Sequence, residues 1–348
     1  MRESFNISRL VRPNILNLHP YSSARDDFSG SASVFLDANE NPYNAPLNRY
    51  PDPGQKELKG RIAALKGVDT AQIFLGNGSD EGIDLLFRVL CEPGVDNVLT
   101  VDPTYGMYGV CAEINGVERR SVLLNKDFSL NPGNVLETAD ERTKLVFLCS
   151  PNNPTSNSLE REAIFRILEG LDCLVVVDEA YIEFSSGPGL LSLLNEFPNL
   201  VILQTLSKAW GYAGIRLGML FAHPELIKYL SRVKYPYNIN ALSLETALNG
   251  LKEGKRTQAW IREILQERTR MSQELAGFSF VVQVFPSDAN FLLLRVDDPR
   301  AVYDFLMERG IIVRDRSSVP LCEGCLRITI GSREENRALI SALKTFQS

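Results

Sequence analysis

A chain of 348 residues, 44% of them hydrophobic, has enough apolar content for a substantial core in one large globular unit or two unequal domains. Its formal charge of −6, from 37 Lys and Arg against 43 Asp and Glu, excludes a broad nucleic-acid-binding face but leaves local arginines able to meet small anions. The opening "MRESFNISRLVRPNILNL" interrupts its apolar residues with charges, and no segment approaches the ~20 apolar residues of a membrane span. The expected compartment is therefore the cytoplasm, with neither membrane nor nucleic acid as partner.

In chain order, residues 1–45 are rich in Pro, Asn and Ser and read as an N-terminal arm that joins the smaller domain. From about residue 72, short apolar runs alternate with amphipathic stretches. "QIFLG" precedes "SDEGIDLLFRVLC", "NVLTVD" precedes "YGMYGVCAEIN", "TKLVFLCS" precedes "LEREAIFRILEG", and "DCLVVVDEA" precedes "LLSLLNEF", with "LVILQTLS" next. Buried strands alternating with helices predict an α/β domain over 46–240 with a mainly parallel sheet. Ligands then belong at the carboxyl ends of the strands.

Beyond residue 240 the rhythm changes. Helical "LSLETALNG" and "KRTQAWIREILQERTRMSQELAG" lead to short strands in "FSFVVQVF", "ANFLLLRV", "GIIVRD" and "CLRITIG", with helices in "PRAVYDFLMERG" and "REENRALISALKTF". This predicts a smaller α+β domain over 241–348. The six cysteines read as reduced core thiols. "CEGC" at 322–325 has CxxC spacing but no second pair, and His19 and His223 are the only histidines, so no metal site is expected.

Four features fall at predicted strand ends. "FLGNGSDEG" (74–82) sets glycines and a serine before a helix, which suits either an anion cradle or a plain helix start; its GxGxxxG spacing is one residue longer than the dinucleotide fingerprint. "CSPNNPTS" (149–156) supplies asparagines that either donate to a ligand or shape their own turn. "LVVVDEAYIEF" (174–184) ends its most apolar strand on Asp178, a costly place for a carboxylate unless it meets a cation or metal. A nucleotide-hydrolysing acid would need a phosphate loop, and the nearest approach, "GLKEGKR" (250–256), is one residue short and carries Arg where Ser or Thr is required. The fourth feature, "QTLSKAWGYAGIRLG" (204–218), puts Lys208 behind Ser207 with Arg216 eight residues on. A lysine amine, an acid at a neighbouring strand end, an aromatic and a phosphate cradle together meet the requirements of pyridoxal 5′-phosphate.

With these residues assembled, the chain resembles a fold-type I pyridoxal-phosphate aminotransferase and, within that family, the histidinol-phosphate aminotransferase branch. The resemblance rests on "LDANENPY", "RYPDP", "GNGSDEGID", "DPTYGMY", "SPNNPT", "VVDEAYIEF", "TLSKAWGYAGIRLG" and "LRITIG", in order along nearly the whole length. It implies a large α/β/α domain and a smaller one. Lys208 would be the Schiff-base lysine, Asp178 the partner of the pyridine nitrogen and Tyr105 the residue stacked on the ring, these three forming the catalytic group. Asn153 and Tyr181 would hydrogen-bond the 3′-oxygen. Gly78, Ser79, Asp80, Ser207 and Arg216 would surround the phosphate, with Tyr50 supplied by a second subunit, hence a homodimer. Arg314 and Arg327 would receive the substrate's anionic end together with Tyr21, Tyr50 and Asn153.

The expected reaction is amino transfer between L-histidinol phosphate and 2-oxoglutarate, giving imidazole acetol phosphate and L-glutamate. A decarboxylase of amino-acid phosphates or an aromatic aminotransferase would use the same apparatus. A cofactor-sensing regulator lacks its DNA-binding domain here, and a dinucleotide oxidoreductase would leave the Lys208 segment without a role. Two departures stand out: Ser156 replaces the glycine usual after "NPT", and Trp210 and Tyr212 occupy a segment where they would either enclose the substrate or fill core.

Overall fold

The computed structural model describes residues 5–19 and 33–346. A seven-stranded sheet forms its centre: β1 (Ile73–Asn77), β2 (Asn97–Asp102), β3 (Glu118–Leu123), β4 (Thr143–Cys149), β5 (Leu174–Asp178), β6 (Leu200–Thr205) and β7 (Leu217–Phe221). Their spatial order is β1-β7-β6-β5-β4-β2-β3, and only β7 runs against its neighbours. Every residue of β5 and β6 is buried, as expected of strands covered on both faces. Alternate residues feed two apolar layers: Leu75, Val101, Val146, Val175 and Ile202 on one side, Phe74, Val98, Phe147, Val176 and Leu203 on the other. β3 closes one edge with the mostly exposed "ERRSVL", whose charges discourage further strand pairing.

A second, antiparallel sheet has the order β10-β11-β9-β8, from β8 (Val281–Val284), β9 (Phe291–Val296), β10 (Arg314–Asp315) and β11 (Cys325–Thr329). Leu292, Leu294, Leu326 and Ile328 pack from it onto Met271, Leu275, Leu339 and Ile340 of the covering helices. The 23-residue helix Gly254–Ala276 bridges both regions. Its Ile261 belongs to the large core, while Met271 and Leu275 belong to the small one. Glu267 ties it to the last helix by accepting from Asn336 at 2.9 Å.

The first described segment borrows its core. Ile7, Val11 and Ile15 are buried against the Gly78–Leu90 helix layer, and the Arg12 N–H donates to the Val89 carbonyl at 2.9 Å. No helix among the described residues is long and apolar enough to cross a membrane.

Two expected elements differ. "LLSLLNEF" forms only the short 3-10 turn Leu191–Leu193, because the preceding "SSGPG" imposes an irregular approach and the buried Glu179 carboxylate captures the Leu190 N–H at 2.7 Å. The "GIIVRD" strand shrinks to Arg314–Asp315. Elements without a counterpart in the expected alternation are β3, β7 and the helices Lys56–Lys66, Pro132–Thr138 and Pro224–Val233.

Candidate active site

The carboxyl ends of β4, β5 and β6 lie side by side, with Cys149 paired to Asp178 and Asp178 to Leu203. Because β7 runs the other way, its first residues return to this same end, where Leu217 pairs with Asn77 at the end of β1. Four strand ends and the loops after them thus enclose a cavity of about 460 Å³. Its walls carry Gly78, Ser79, Asp80, Tyr105, Asn153, Asp178, Tyr181, Ser207, Lys208, Arg216, Arg314 and Arg327, the sequence-derived set without Tyr50 and Tyr21.

At the deep end Asp178 is buried. It accepts a 2.7 Å hydrogen bond from the Tyr108 hydroxyl and a 3.0 Å bond from the Ala180 N–H. Burial raises its pKa, against the opposing pull of those two donors. Tyr108 is itself fully buried, stacked on Phe147 at 4.6 Å, and had no assigned role in the sequence reading. Its position three residues after Tyr105, on one face of the Met107–Ile114 helix start, reads equally well as core.

Another wall is a cradle of backbone and charge. Gly78 has φ +72° and starts the Gly78–Leu90 helix, whose first-turn N–H groups have no intrahelical acceptor. Its N–H donates to the Arg216 carbonyl at 2.8 Å. Arg216 takes φ +55°, a left-handed conformation costing a non-glycine residue about 1–2 kcal/mol. That turn directs its guanidinium to Asp80 Oδ2 at 3.4 Å, and a Cβ on Gly78 would stand 2.7 Å from Arg216 Nη2. Gly218 approaches still more closely: a Cβ there would meet Ser79 N at 2.1 Å. Glycine is thus required where β7 crosses the loop, a requirement invisible without knowing which strands are neighbours. Asp80 also accepts the Tyr105 hydroxyl at 3.1 Å, which fixes that ring at the cavity mouth, edge-on to Tyr108.

Lys208 projects from the loop after β6 into the cavity, its Nζ 5.5 Å from the centre of the Tyr181 ring. The amine reaches water through the open cavity, yet the surrounding protein lowers its pKa. Arg327 pushes the same way, while Asp178 and Asp80 oppose. Ser207 accepts the Thr205 hydroxyl at 3.0 Å, anchoring the residue before it.

On the small-sheet side, β10 and β11 place Arg314 directly opposite Arg327. Arg327 donates to the buried Asn153 Oδ1 at 2.5 Å and lies over the Phe291 ring. Asp315, next to Arg314 in sequence, accepts the Ser317 N–H at 2.8 Å. Arg316 also lines the cavity and went unnoticed in the sequence.

The remaining expectations are placed as follows. Tyr50 lies away from the cavity of its own chain, in a second cleft, where it stacks on Tyr237 at 4.4 Å. Tyr21 lies outside the described residues. Trp210 is buried in the large core and Tyr212 packs against it, so neither encloses the cavity. Ser156 keeps the turn a glycine would make, adopting φ +67°, and its hydroxyl donates to the Thr155 and Pro286 carbonyls at 2.6 and 3.1 Å. All six cysteines are buried free thiols.

This mainly parallel sheet, with a lysine, a buried acid and a helix-start cradle at its carboxyl end, is the architecture of the fold-type I aminotransferases. Residues 28–343 match the family "aminotransferase class I and II", and the chain belongs to that family. Among curated relatives, the histidinol-phosphate aminotransferase of Parabacteroides distasonis is 57% identical over 98% of this chain and 99% of its own. Among solved structures, the histidinol-phosphate aminotransferase of Clostridium acetobutylicum superimposes with a TM-score of 0.79 at 26% identity, covering 86% of this chain and 90% of that one. The Sinorhizobium meliloti histidinol-phosphate aminotransferase, solved in complex with pyridoxal 5′-phosphate, gives 0.79 at 25% identity over 88% of each chain.

Proposed function

We propose that this aminotransferase moves the amino group of L-histidinol phosphate to 2-oxoglutarate, yielding imidazole acetol phosphate and L-glutamate, as a cytoplasmic step of histidine biosynthesis. The observation that carries the reading is the full-length identity to the Parabacteroides distasonis enzyme. The guanidiniums of Arg314 and Arg327 beside Lys208 support it, since they suit a phosphate-ended donor and a carboxylate-ended acceptor alike. Residues 46–240 would hold the cofactor, and 241–348 would bring the two arginines.

Pyridoxal 5′-phosphate fits the residues present. A buried carboxylate with two hydrogen-bond donors still gains from a cationic ring nitrogen, which offsets the cost of its burial. The close approach allowed at Gly78 and Gly218 packs the Arg216 guanidinium and β7 against the helix start, whose free N–H groups, with Arg216 and Ser207, would donate to a phosphate. Lys208 projects into the same cavity. When bound, the cofactor supplies a protonated ring that draws electron density from the carbon bearing the transferred amine.

The chain's own groups do the rest. Asp178, held by Tyr108 and Ala180, would keep the ring nitrogen protonated. Tyr105, fixed by Asp80, would pack against the ring. Lys208 Nζ, its pKa lowered by the surrounding protein and Arg327, is a better nucleophile near neutral pH than a lysine of ordinary pKa. With donor and cofactor in place, Nζ would take the donor's Cα proton as general base and return it as general acid. Arg314 and Arg327 hold the anionic end so that this proton faces Nζ.

The reading is tested by adding L-histidinol phosphate, with no keto acid, to protein loaded with pyridoxal 5′-phosphate. The expected result is conversion of the visible cofactor band within one turnover. An unmoved band that responds to an aromatic amino acid would replace the donor assignment.

A homodimer belongs to the same proposal, because Tyr50 lies outside the cavity of its own chain and would reach the cofactor phosphate only in a partner. Mixing inactive Tyr50→Ala and Lys208→Ala proteins under subunit exchange should restore activity, since each hybrid then contains one intact site. No recovery, with exchange verified by mass, would sink the shared-site arrangement.

A further inference from the structure

Arg316 has no part in the reaction outlined above. It follows the two-residue strand β10, so strand alternation turns its side chain to the same face as Arg314. Both line the cavity with Arg327 across the ladder, while Asp315, between them in sequence, is occupied by Ser317. Among the described residues no carboxylate pairs with any of the three guanidiniums, and Arg316 Nε is buried without a hydrogen-bond partner. The backbone keeps it there: the Arg316 N–H donates to the Cys325 carbonyl and its own carbonyl accepts from Val319, both at 2.9 Å. Arg316 also borders an adjoining chamber of about 220 Å³, shared with Tyr105 and Asn153.

Three neighbouring guanidiniums with no carboxylate paired to them among the described residues favour an anion of more than one charge. A carboxylate offers one charge and two oxygens, which a single guanidinium fork satisfies, whereas a phosphate monoester offers up to two charges and three terminal oxygens, enough for several forks. We propose that Arg316 is a specificity-determining residue: its guanidinium joins Arg314 and Arg327 around a phosphate monoester and favours donors that end in phosphate over those that end in carboxylate. The inference rests on the proposed use of a phosphorylated donor.

The test compares Arg316→Gln, which removes the charge but keeps a polar side chain, with Arg316→Lys, which keeps the charge but not the fork. Each cofactor-loaded variant is assayed in the half-reactions of L-histidinol phosphate and of L-glutamate, after its melting temperature and cofactor band have shown it folded. Arg316→Gln should lower kcat/KM for the phosphorylated donor about 10- to 100-fold, mostly through KM, with Arg316→Lys intermediate and glutamate changed less than about threefold. Inorganic phosphate, as inhibitor of the glutamate half-reaction, should lose potency by a similar factor. Equal losses on both donors, or no loss on either, overturn the assignment. Should the wild-type protein not use L-histidinol phosphate at all, the proposed reaction fails on its own, and phosphate inhibition decides Arg316: unchanged potency in Arg316→Gln overturns its role, and a drop of about tenfold upholds it.

Discussion

Lys208→Arg should lower kcat by about 10⁴-fold or more while the protein still folds and still retains pyridoxal 5′-phosphate. The substitution keeps a positive charge near Tyr181 and Asp178 but removes two capacities together. A guanidinium neither bonds covalently to an aldehyde with useful stability nor releases its proton near neutral pH, so the covalent bond to the cofactor and the proton transfer at the donor's Cα would both be lost, leaving the cofactor held non-covalently. The wild-type amine is suited to both because burial and Arg327 lower its pKa while Asp178 and Asp80 keep the fall in check. Single-turnover absorbance on the folded variant is the deciding measurement. Residual turnover within about 100-fold of wild type would mean that another base works at this carbon.

Asp178→Asn should cost about 10³-fold in kcat, with a smaller change in substrate KM. Asparagine fills the same space and still accepts from Tyr108, but has no charge to hold a ring nitrogen protonated. The same variant reveals the cost of the buried acid in cofactor-free protein. Burial raises the folded-state pKa of Asp178 above its unfolded value, so between the two the folded state binds the extra proton. Stability from this group is therefore greatest at low pH and falls as pH rises through that window. The difference in unfolding free energy, variant minus wild type, should grow with pH across that interval when no cofactor is present, and shrink when it is. A pH-independent difference in denaturant titrations would show that Asp178 is ionised throughout.

Much of the site could be read from the sequence because its groups sit where apolar runs stop. Asp178 ends "LVVVD", Lys208 follows "LVILQTLS", and the Gly78 loop follows "IFLGN"; in a parallel sheet such endings gather on one edge. What escaped depends on pairings that no local pattern records. "LGMLF" is a buried run with the same composition whichever way it points, so the reversal of β7 could not be foreseen, nor the need for Gly218 that follows from it. Tyr108 reads as core because it is core, and its hydroxyl acquires a role only through the Asp178 carboxylate 70 residues away. Arg316 carries no mark of its own in "VRDRSS", since the turn that buries its Nε is closed by a backbone bond to Cys325. Tyr50 was placed by resemblance in a neighbour's site, and no feature of its own segment carries that information.

The reversed strand also bears on how the protein reaches its working state. β7 zips β6 to β1, which lies about 140 residues earlier, so the Gly78–Arg216 side of the cavity exists only after one of the most distant pairings in the large sheet has formed. Contacts of such long sequence separation are slow to establish because loop closure must precede their reward. Capture of pyridoxal 5′-phosphate by a refolding chain should therefore lag behind the bulk of helix formation. Cofactor in the medium then adds to the equilibrium stability of the finished fold by mass action.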